Sequence, residues 1–282
     1  MAQSNTTAAL TGVVKDPKGA PLAGAMVRIS SPALIGGERT LRTSENGSYR
    51  FAVLPPGKYR IVVEAPGLVT LVGNDTLELG RASTVNWKFA PSAGATVEVI
   101  SAETSVDNAS VNLTQNFSTE ELATIPIDRS IGGIMNLTPG VNSNAAWGGN
   151  RRENAYMMDG INISDPSGGT PWIFPNPDWF SEIQVGGIGA SAEYGSFNGG
   201  FANGLIKKGG NDFTGSLNAY YGDTKWQAIS SNKQLVASDK VINPAKDWDA
   251  AFNIGGPIIK DKLWFFASVE RIQSEESRPG AL

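Results

Sequence analysis

The residues of this chain that could do chemistry fall into three short clusters. Ile183-Gln184-Val185 runs into Gly187-Ile188-Gly189-Ala190-Ser191-Ala192, the spacing of a G-x-G-x-x-A dinucleotide fingerprint, and Asp212 stands about 20 residues beyond Ala192. In that fingerprint the glycines let the backbone close on a pyrophosphate held at the N-terminus of the next helix. Here Tyr194-Gly195-Ser196-Phe197-Asn198-Gly199-Gly200 follows, and each glycine inside a helix costs about 1 kcal/mol. The motif lacks the helix its chemistry needs. Asp159, Asn162 and Asp165 are hard oxygen ligands of the kind calcium takes, but the spacing is D-x-x-N-x-x-D with no closing glutamate; turn formation is the plainer role. Arg151-Arg152-Glu153 could hold an anion, although adjacent charges usually form a solvated cluster.

The chain has no cysteine and no histidine. That excludes disulfides, thiolate nucleophiles, a Ser-His-Asp triad and any Cys or His metal site. With no catalytic constellation left, neither an enzyme activity nor a cofactor is expected, and no metal site. Lys and Arg number 23 against 27 Asp and Glu in 282 residues; the net charge of −4 carries no basic footprint, so no nucleic-acid partner is expected. Glycine, at 33 residues, exceeds average usage and suits a turn-rich β protein. No apolar run reaches the ~18 residues of a transmembrane helix. Met1-Ala2-Gln3-Ser4-Asn5 has neither a basic n-region nor an apolar h-region.

The elements that must position these residues are mostly strands. In residues 6–90, Leu10-Thr11-Gly12-Val13-Val14 enters the turn Asp16-Pro17-Lys18-Gly19, and Ala25, Val27 and Ile29 alternate with Met26 and Arg28. After Asn46-Gly47, a two-residue hairpin signal, Tyr49, Phe51 and Val53 alternate with Ser48, Arg50 and Ala52. Tyr59, Ile61 and Val63 follow Leu54-Pro55-Pro56-Gly57, and Val85, Trp87 and Phe89 close the set. Short alternating runs between turn residues predict a small antiparallel sandwich. Gly12-Val13-Val14 with Asp16 and Gly19, then Gly47-Ser48-Tyr49-Arg50-Phe51, Leu54-Pro55-Pro56-Gly57-Lys58-Tyr59 and Pro66-Gly67, resemble the carboxypeptidase-regulatory-like domain. The resemblance implies a transthyretin-like fold and no peptidase activity.

Residues 91–117 read as a linker: Pro91-Ser92-Ala93-Gly94, an extended Ala95-Thr96-Val97-Glu98-Val99-Ile100-Ser101, and a polar remainder that suits an edge strand or a mobile peptide. Residues 118–212 hold the helices. Ser118 and Glu121 form a capping box for a helix stopped at Pro126, and a second helix runs from about Ser130 to Leu137 before Pro139-Gly140. Strands are expected at Asn154 to Met158, entering a tight turn at Asp159-Gly160, at Trp179 to Val185 and from Gly204. In residues 213–282 the alternation returns. Phe213, Leu217, Tyr221, Trp248, Phe252, Ile254, Phe265 and Val269 fall on one face, opposite Asn218, Asp249, Asn253 and Ser268. Strands of ~9–11 residues with that dyad are the signature of outer-membrane barrels, although a soluble sandwich shares the period.

Residues 118–215 resemble the plug domain of TonB-dependent outer-membrane receptors. The parallel runs through Ile125-Pro126, Ile131 to Leu137, Thr138-Pro139-Gly140-Val141, Asp159-Gly160-Ile161, Ile183-Gln184-Val185, Glu193-Tyr194-Gly195 and Leu205-Ile206-Lys207-Lys208-Gly209. Gly255 to Phe266 resembles the first barrel strands of the Oar-like branch, which also carries the regulatory-like sandwich before its plug. Gln184 departs from the family, which usually has glutamate there, and Lys208 from a small polar residue. The resemblance implies a mainly β chain with a transthyretin-like sandwich, an α+β plug and the first strands of an incomplete transmembrane barrel. It makes Ala95, Thr96, Val97, Glu98, Val99, Ile100 and Ser101 the candidate TonB box, and Pro139, Gly140, Asp159, Gly160, Glu193, Tyr194 and Gly195 plug-motif residues.

The function so implied is plug-gated, energy-coupled uptake in the outer membrane of a Gram-negative bacterium, with sandwich and plug on the periplasmic side. Its partners would be an inner-membrane TonB protein, outer-membrane lipid and a transported substrate of unassigned chemistry. The 68 residues from Gly215 to Leu282 hold about three strands against about 22 in such a barrel, so the chain is expected to be an N-terminal portion of a longer transporter. An alternative from another class is a periplasmic or surface adhesion protein using the sandwich as its binding module; a hydrolase accessory domain is weaker still.

Overall fold

A computed structural model describes residues 6–90, 98–99, 113–125, 130–223 (except 166, 168, 174, 191–193 and 196) and 245–276. The chain divides into two compact units, Met1–Lys207 and Lys208–Leu282.

The sandwich contains β1 (Ala8–Lys15), β2 (Met26–Ser30), β3 (Glu38–Arg42), β4 (Ser48–Leu54), β5 (Gly57–Glu64), β6 (Leu71–Leu77), β7 (Ala82–Thr84) and β8 (Trp87–Lys88). One sheet is built on β1, with β4 antiparallel to it and β7 and β8 parallel; the other has the order β3-β2-β5-β6. The sheet is therefore mixed rather than antiparallel, because the return past Leu77 brings the last strands alongside β1 in its own direction. Asn46-Gly47 is a turn but not a hairpin: β3 and β4, which flank it, belong to different sheets. Asn46 Oδ1 accepts from the Ser48 amide (3.1 Å), and Gly47 takes φ +73°.

The alternation in β4 also breaks. Its register with β1 slips between Ala8↔Leu54 and Leu10↔Phe51, a bulge in which Val53 takes φ +57° and turns out to solvent while Leu54 enters the core. The core otherwise follows the expected faces: Val27, Ile29, Tyr49, Phe51, Tyr59, Ile61, Val63, Val85, Trp87 and Phe89 are all buried in one cluster. Tyr49 Oη donates to the Val85 carbonyl (2.7 Å) and accepts from Trp87 Nε1 (3.0 Å), so both polar groups of this apolar centre are satisfied. Gly12 is required beside them, since a Cβ there would lie 1.8 Å from the Val85 oxygen.

A short β9 (Glu98–Val99) lies parallel to the edge of β6, pairing Leu71↔Glu98 and Val72↔Val99. Beyond it β10 (Thr114–Ser118) opens a second sheet, and α1 (Thr119–Thr124) follows directly. The polar stretch that suited an edge strand or a mobile peptide is thus an edge strand at its C-terminal end. The Ser118–Glu121 capping box forms as expected, and α1 ends at Ile125. Next, α2 (Ile131–Met135) is shorter than the reach to Leu137, with Ser130 as its cap. Then come a small β11–β12 hairpin (Val141–Asn142, Ala145–Ala146), β13 (Ala155–Met158), β14 (Ile161–Asn162), β15 (Phe180–Gly186) and β16 (Phe201–Ile206). The sheet order is β10-β15-β16-β13-β14, with β13 parallel to β16. Phe117, Leu122, Ile131, Ile134, Met135, Phe180, Ile183 and Val185 pack beneath it.

The second unit is a meander of β17 (Thr214–Asp223), β18 (Ala245–Ile259) and β19 (Leu263–Glu276). Its register places Leu217, Phe252 and Val269 in one row, Tyr221 beside Trp248, and Ser216, Asn253 and Ser268 in a row of opposite facing. The two predicted faces are realised. β18 and β19 run to 15 and 14 residues, longer than the expected span. Asn211 fastens the turn between them, donating to Asp261 Oδ1 (2.7 Å) and accepting from the Asp261 amide and Trp264 Nε1.

Because the sandwich core closes within residues 8–89, residues 1–92 should unfold in one cooperative urea transition. Phe51→Ala should lower that stability by ~3–5 kcal/mol, and Tyr49→Phe by ~1–3 kcal/mol through the two partners it orphans. A gradual, non-cooperative loss of signal in the parent fragment would contradict this.

Candidate functional site

The most heavily engineered polar cluster among the described residues lies where the turn after β6 meets β10 and β15. Leu79 is fully buried there, and Gly80 turns with φ +69°. The Leu79 amide donates to Glu182 Oε1 (2.9 Å), while its carbonyl accepts from Gln184 Nε2 (2.7 Å) and Asn116 Nδ2 (3.0 Å). Asn116 Nδ2 also reaches Glu182 Oε1 (2.6 Å), and Gln184 Nε2 reaches Asn116 Oδ1 (3.1 Å). Tyr194 Oη closes the network by donating to Gln184 Oε1 (2.7 Å). Beside it, Arg81 donates to the Thr114 carbonyl (2.7 Å) and pairs with Glu78 (2.6 Å). A Cβ on Gly80 would fall 2.8 Å from Gln184 Nε2, so the turn seats flush because this residue is glycine.

Strand geometry explains the convergence. Asn116 pairs with Gln184 and Ser118 with Glu182 across β10 and β15, so Asn116, Glu182 and Gln184 share one face of the sheet at neighbouring positions. Gln184 is 1 % exposed, and its amide offers a donor to the Leu79 carbonyl that a carboxylate would lack. The departure from the family's usual glutamate thus has a physical reason. Burial pushes the Glu182 carboxyl up to about 7; hydrogen bonds from Leu79 and Asn116 and the Arg81 charge hold it down, and Glu78 adds to the rise.

Leu79, Gly80, Asn116 and Glu182 were not singled out by sequence. Leu77 and Leu79 alternate as core positions would, so nothing local marks the Leu79 backbone as the group that docks on a neighbouring sheet. The departure at Gln184 was the one available signal.

Of the candidate TonB box, Glu98 and Val99 are β9, added to the edge of β6; Ala95, Thr96, Val97, Ile100 and Ser101 lie outside the described residues. The plug-motif residues scatter over separate turns. Pro139 and Gly140 are exposed after α2, and a Cβ on Gly140 would meet the Trp147 ring at 2.6 Å. Asp159 (φ +49°) and Gly160 (φ +77°) form the β13–β14 turn, as a two-residue hairpin of the I′ kind requires. Asp159 Oδ1 accepts from the Ile206 amide and Asn203 Oδ1 from the Gly160 amide, tying that turn to β16. Tyr194 stacks on Phe201 at 4.0 Å between ring centres, Gly195 follows it, and Glu193 lies outside the described residues.

The tempting motifs resolve into structure. Gly187 to Ala190 closes a turn. Asn162 and Asp165 bind the amides of Ser164 and Ser167, and no metal-holding cluster occurs among the described residues. Glu153 caps its own short helical turn at Asn150.

Comparison with known proteins agrees with this architecture. Residues 9–90 match the carboxypeptidase regulatory-like domain and residues 205–281 match an outer membrane beta barrel domain. The chain is 30% identical over 94% of its length to the TonB-dependent transporter Oar of Myxococcus xanthus, of which it spans 26%. Among solved structures, it is similar to the outer membrane transporter YddB from Escherichia coli (TM-score 0.49, 16% identity, covering 58% of this chain and 26% of that one). It is likewise similar to the siderophore receptor PirA from Acinetobacter baumannii (TM-score 0.42, 22% identity, 57% and 24%). The barrel-domain match and the Myxococcus xanthus transporter place the chain in the outer membrane of a Gram-negative bacterium.

The raised Glu182 pKa has a defined sign for stability. The folded state holds this proton more tightly than the unfolded chain, so the unit containing residues 1–207 should be favoured below about pH 4.5 and lose stability as pH rises to about 7. Glu182→Gln should remove that share of the slope, read as the difference in urea midpoint between the two proteins across pH 4–8. Parallel profiles would show that Glu182 does not titrate there.

Proposed function

We propose, from the premise that this chain is a homologue of the Oar-type TonB-dependent transporters, that it contains the energy-receiving end of an outer-membrane uptake receptor. Substrate engagement above the plug releases residues 95–101, an inner-membrane TonB protein takes them up as an added strand, and traction remodels the plug to open a path through the barrel. The observation that carries this reading is β9: Glu98 and Val99 are extended and pair by backbone with a sheet edge, the same mode by which a partner sheet would capture them. Their place between the sandwich and the plug suits a segment that must be reached and then pulled.

The second unit supplies the membrane context. Leu217, Phe252 and Val269 are exposed on one face, 76%, 47% and 70% respectively, as a lipid-facing band would be. Tyr221 and Trp248 sit side by side near one end of that band, and Phe213 and Phe265 pack edge to face near the other. Such aromatic ends suit the two interfaces of a bilayer. The short turn at Lys260–Lys262 belongs on the periplasmic side, because outer-membrane barrels keep their short turns there.

A peptide spanning residues 93–103 should bind a TonB C-terminal domain, and Val97→Pro or Val99→Pro should abolish binding by removing a backbone donor; undiminished titration heats with both would reject strand addition. In the full-length receptor, Phe252→Arg should cost ~2–4 kcal/mol of stability in lipid bilayers. An unfolding midpoint equal to wild type would place that face away from lipid.

A further inference from the structure

The strand that traction on residues 95–101 would reach first in the plug is β10, which is the terminal strand of its sheet. An edge strand with a free flank is the weakest point of a sheet under such a pull, since it is held from one side alone. Here a second set of contacts holds the strand. Arg81 donates to the Thr114 carbonyl, Asn116 donates to the Leu79 carbonyl, and Asn116 shares Glu182 with the Leu79 amide. Leu79 is fully buried, and Gly80 lies against Gln184 with no room for a Cβ. Each bond between the Leu79–Arg81 turn and the sheet ends on a main-chain group of one side and a side chain of the other, the pattern of a socket shaped to a fixed turn. The same turn leaves β6, the strand on which β9 lies. A mechanical path thus runs from β9 through β6 to the Leu79–Gly80 turn and into β10.

We propose that the sandwich is a brace for the plug: the Leu79–Gly80 turn, seated in the socket of Asn116, Glu182 and Gln184, clamps β10 onto β15 so that a pull meets a supported strand rather than a free edge. The clamp itself stands on contacts within this chain; its purpose under load rests on the traction reading above.

The test is hydrogen exchange on the full-length receptor in detergent. Gly80→Val, which forces a side chain into Gln184, and Arg81→Ala, a milder change on a half-exposed residue, should each speed exchange of the amides in 114–118 by tenfold or more. Amides in 59–63 serve as the internal control that the sandwich stays folded. If 114–118 exchange at the wild-type rate in both variants with 59–63 still protected, the brace is refuted. Should Gly80→Val expose 59–63 as well, Arg81→Ala alone decides. These 282 residues hold no cysteine, so Ser101→Cys, with any cysteine elsewhere in the receptor replaced by serine, gives a unique attachment point for pulling on the receptor held in a bilayer. The first opening should then need at least a third less force in Arg81→Ala; equal forces would overturn the load-bearing role. Peptide binding to TonB, measured separately, shows whether the traction reading fails independently of the clamp.

Discussion

A β-sheet ends in a row of amides and carbonyls with no neighbour, and the arrangement of this molecule follows from how those rows are closed. On β6 the edge is covered by β9. On β10 the turn after β6 takes that place: the Arg81 side chain donates to the Thr114 carbonyl, and the Asn116 side chain donates to the Leu79 carbonyl. The sandwich and the sheet of residues 114–206 are therefore joined through mutual satisfaction of polar groups around one buried leucine. Leaving the Leu79 amide or carbonyl unpaired in that setting would cost about 1–3 kcal/mol per group, a large fraction of the marginal stability of a domain.

The chemistry of the socket follows from the same requirement. The Leu79 backbone presents one donor and one acceptor, so its partners must offer one of each: Glu182 accepts, while Gln184 and Asn116 donate. An acid at both 182 and 184 would give two acceptors and add a second charge where desolvation already raises the first. The amide at 184 and the acid at 182 are complementary, and neither is interchangeable with its neighbour.

How much of this was legible in the sequence depended on the range of the interaction. Local chemistry was readable: the Ser118–Glu121 capping box, the Asp159-Gly160 turn and the two faces of residues 213–269 came from spacing alone. Features decided between distant segments were not. Val53 alternates correctly with Phe51, yet a bulge against Ala8–Leu10 turns it outward. Asn46-Gly47 has the residues of a hairpin, but its flanking strands go to different sheets. Parallel pairing of β7 and β8 with β1, and the role of Leu79, depend on partners some 70 and 100 residues away in sequence, where no periodicity records them.

On the proposed reading of the second unit as barrel wall, the lengths of β18 and β19 carry a consequence for the outer surface of the cell. Crossing a bilayer takes ~9–11 residues of a tilted strand, and these strands have 15 and 14. Arg271 lies over the Trp248 ring, 5.5 Å from its centre, and beyond that pair Asp247, Ser274 and Glu275 leave no apolar face. The cation and indole together mark a waterline. Above it the hairpin continues as paired backbone for three residues, 245–247 opposite 274–276, or ~10 Å at 3.3 Å per residue. On that reading the wall of the pore rises as a stiff parapet above the headgroups.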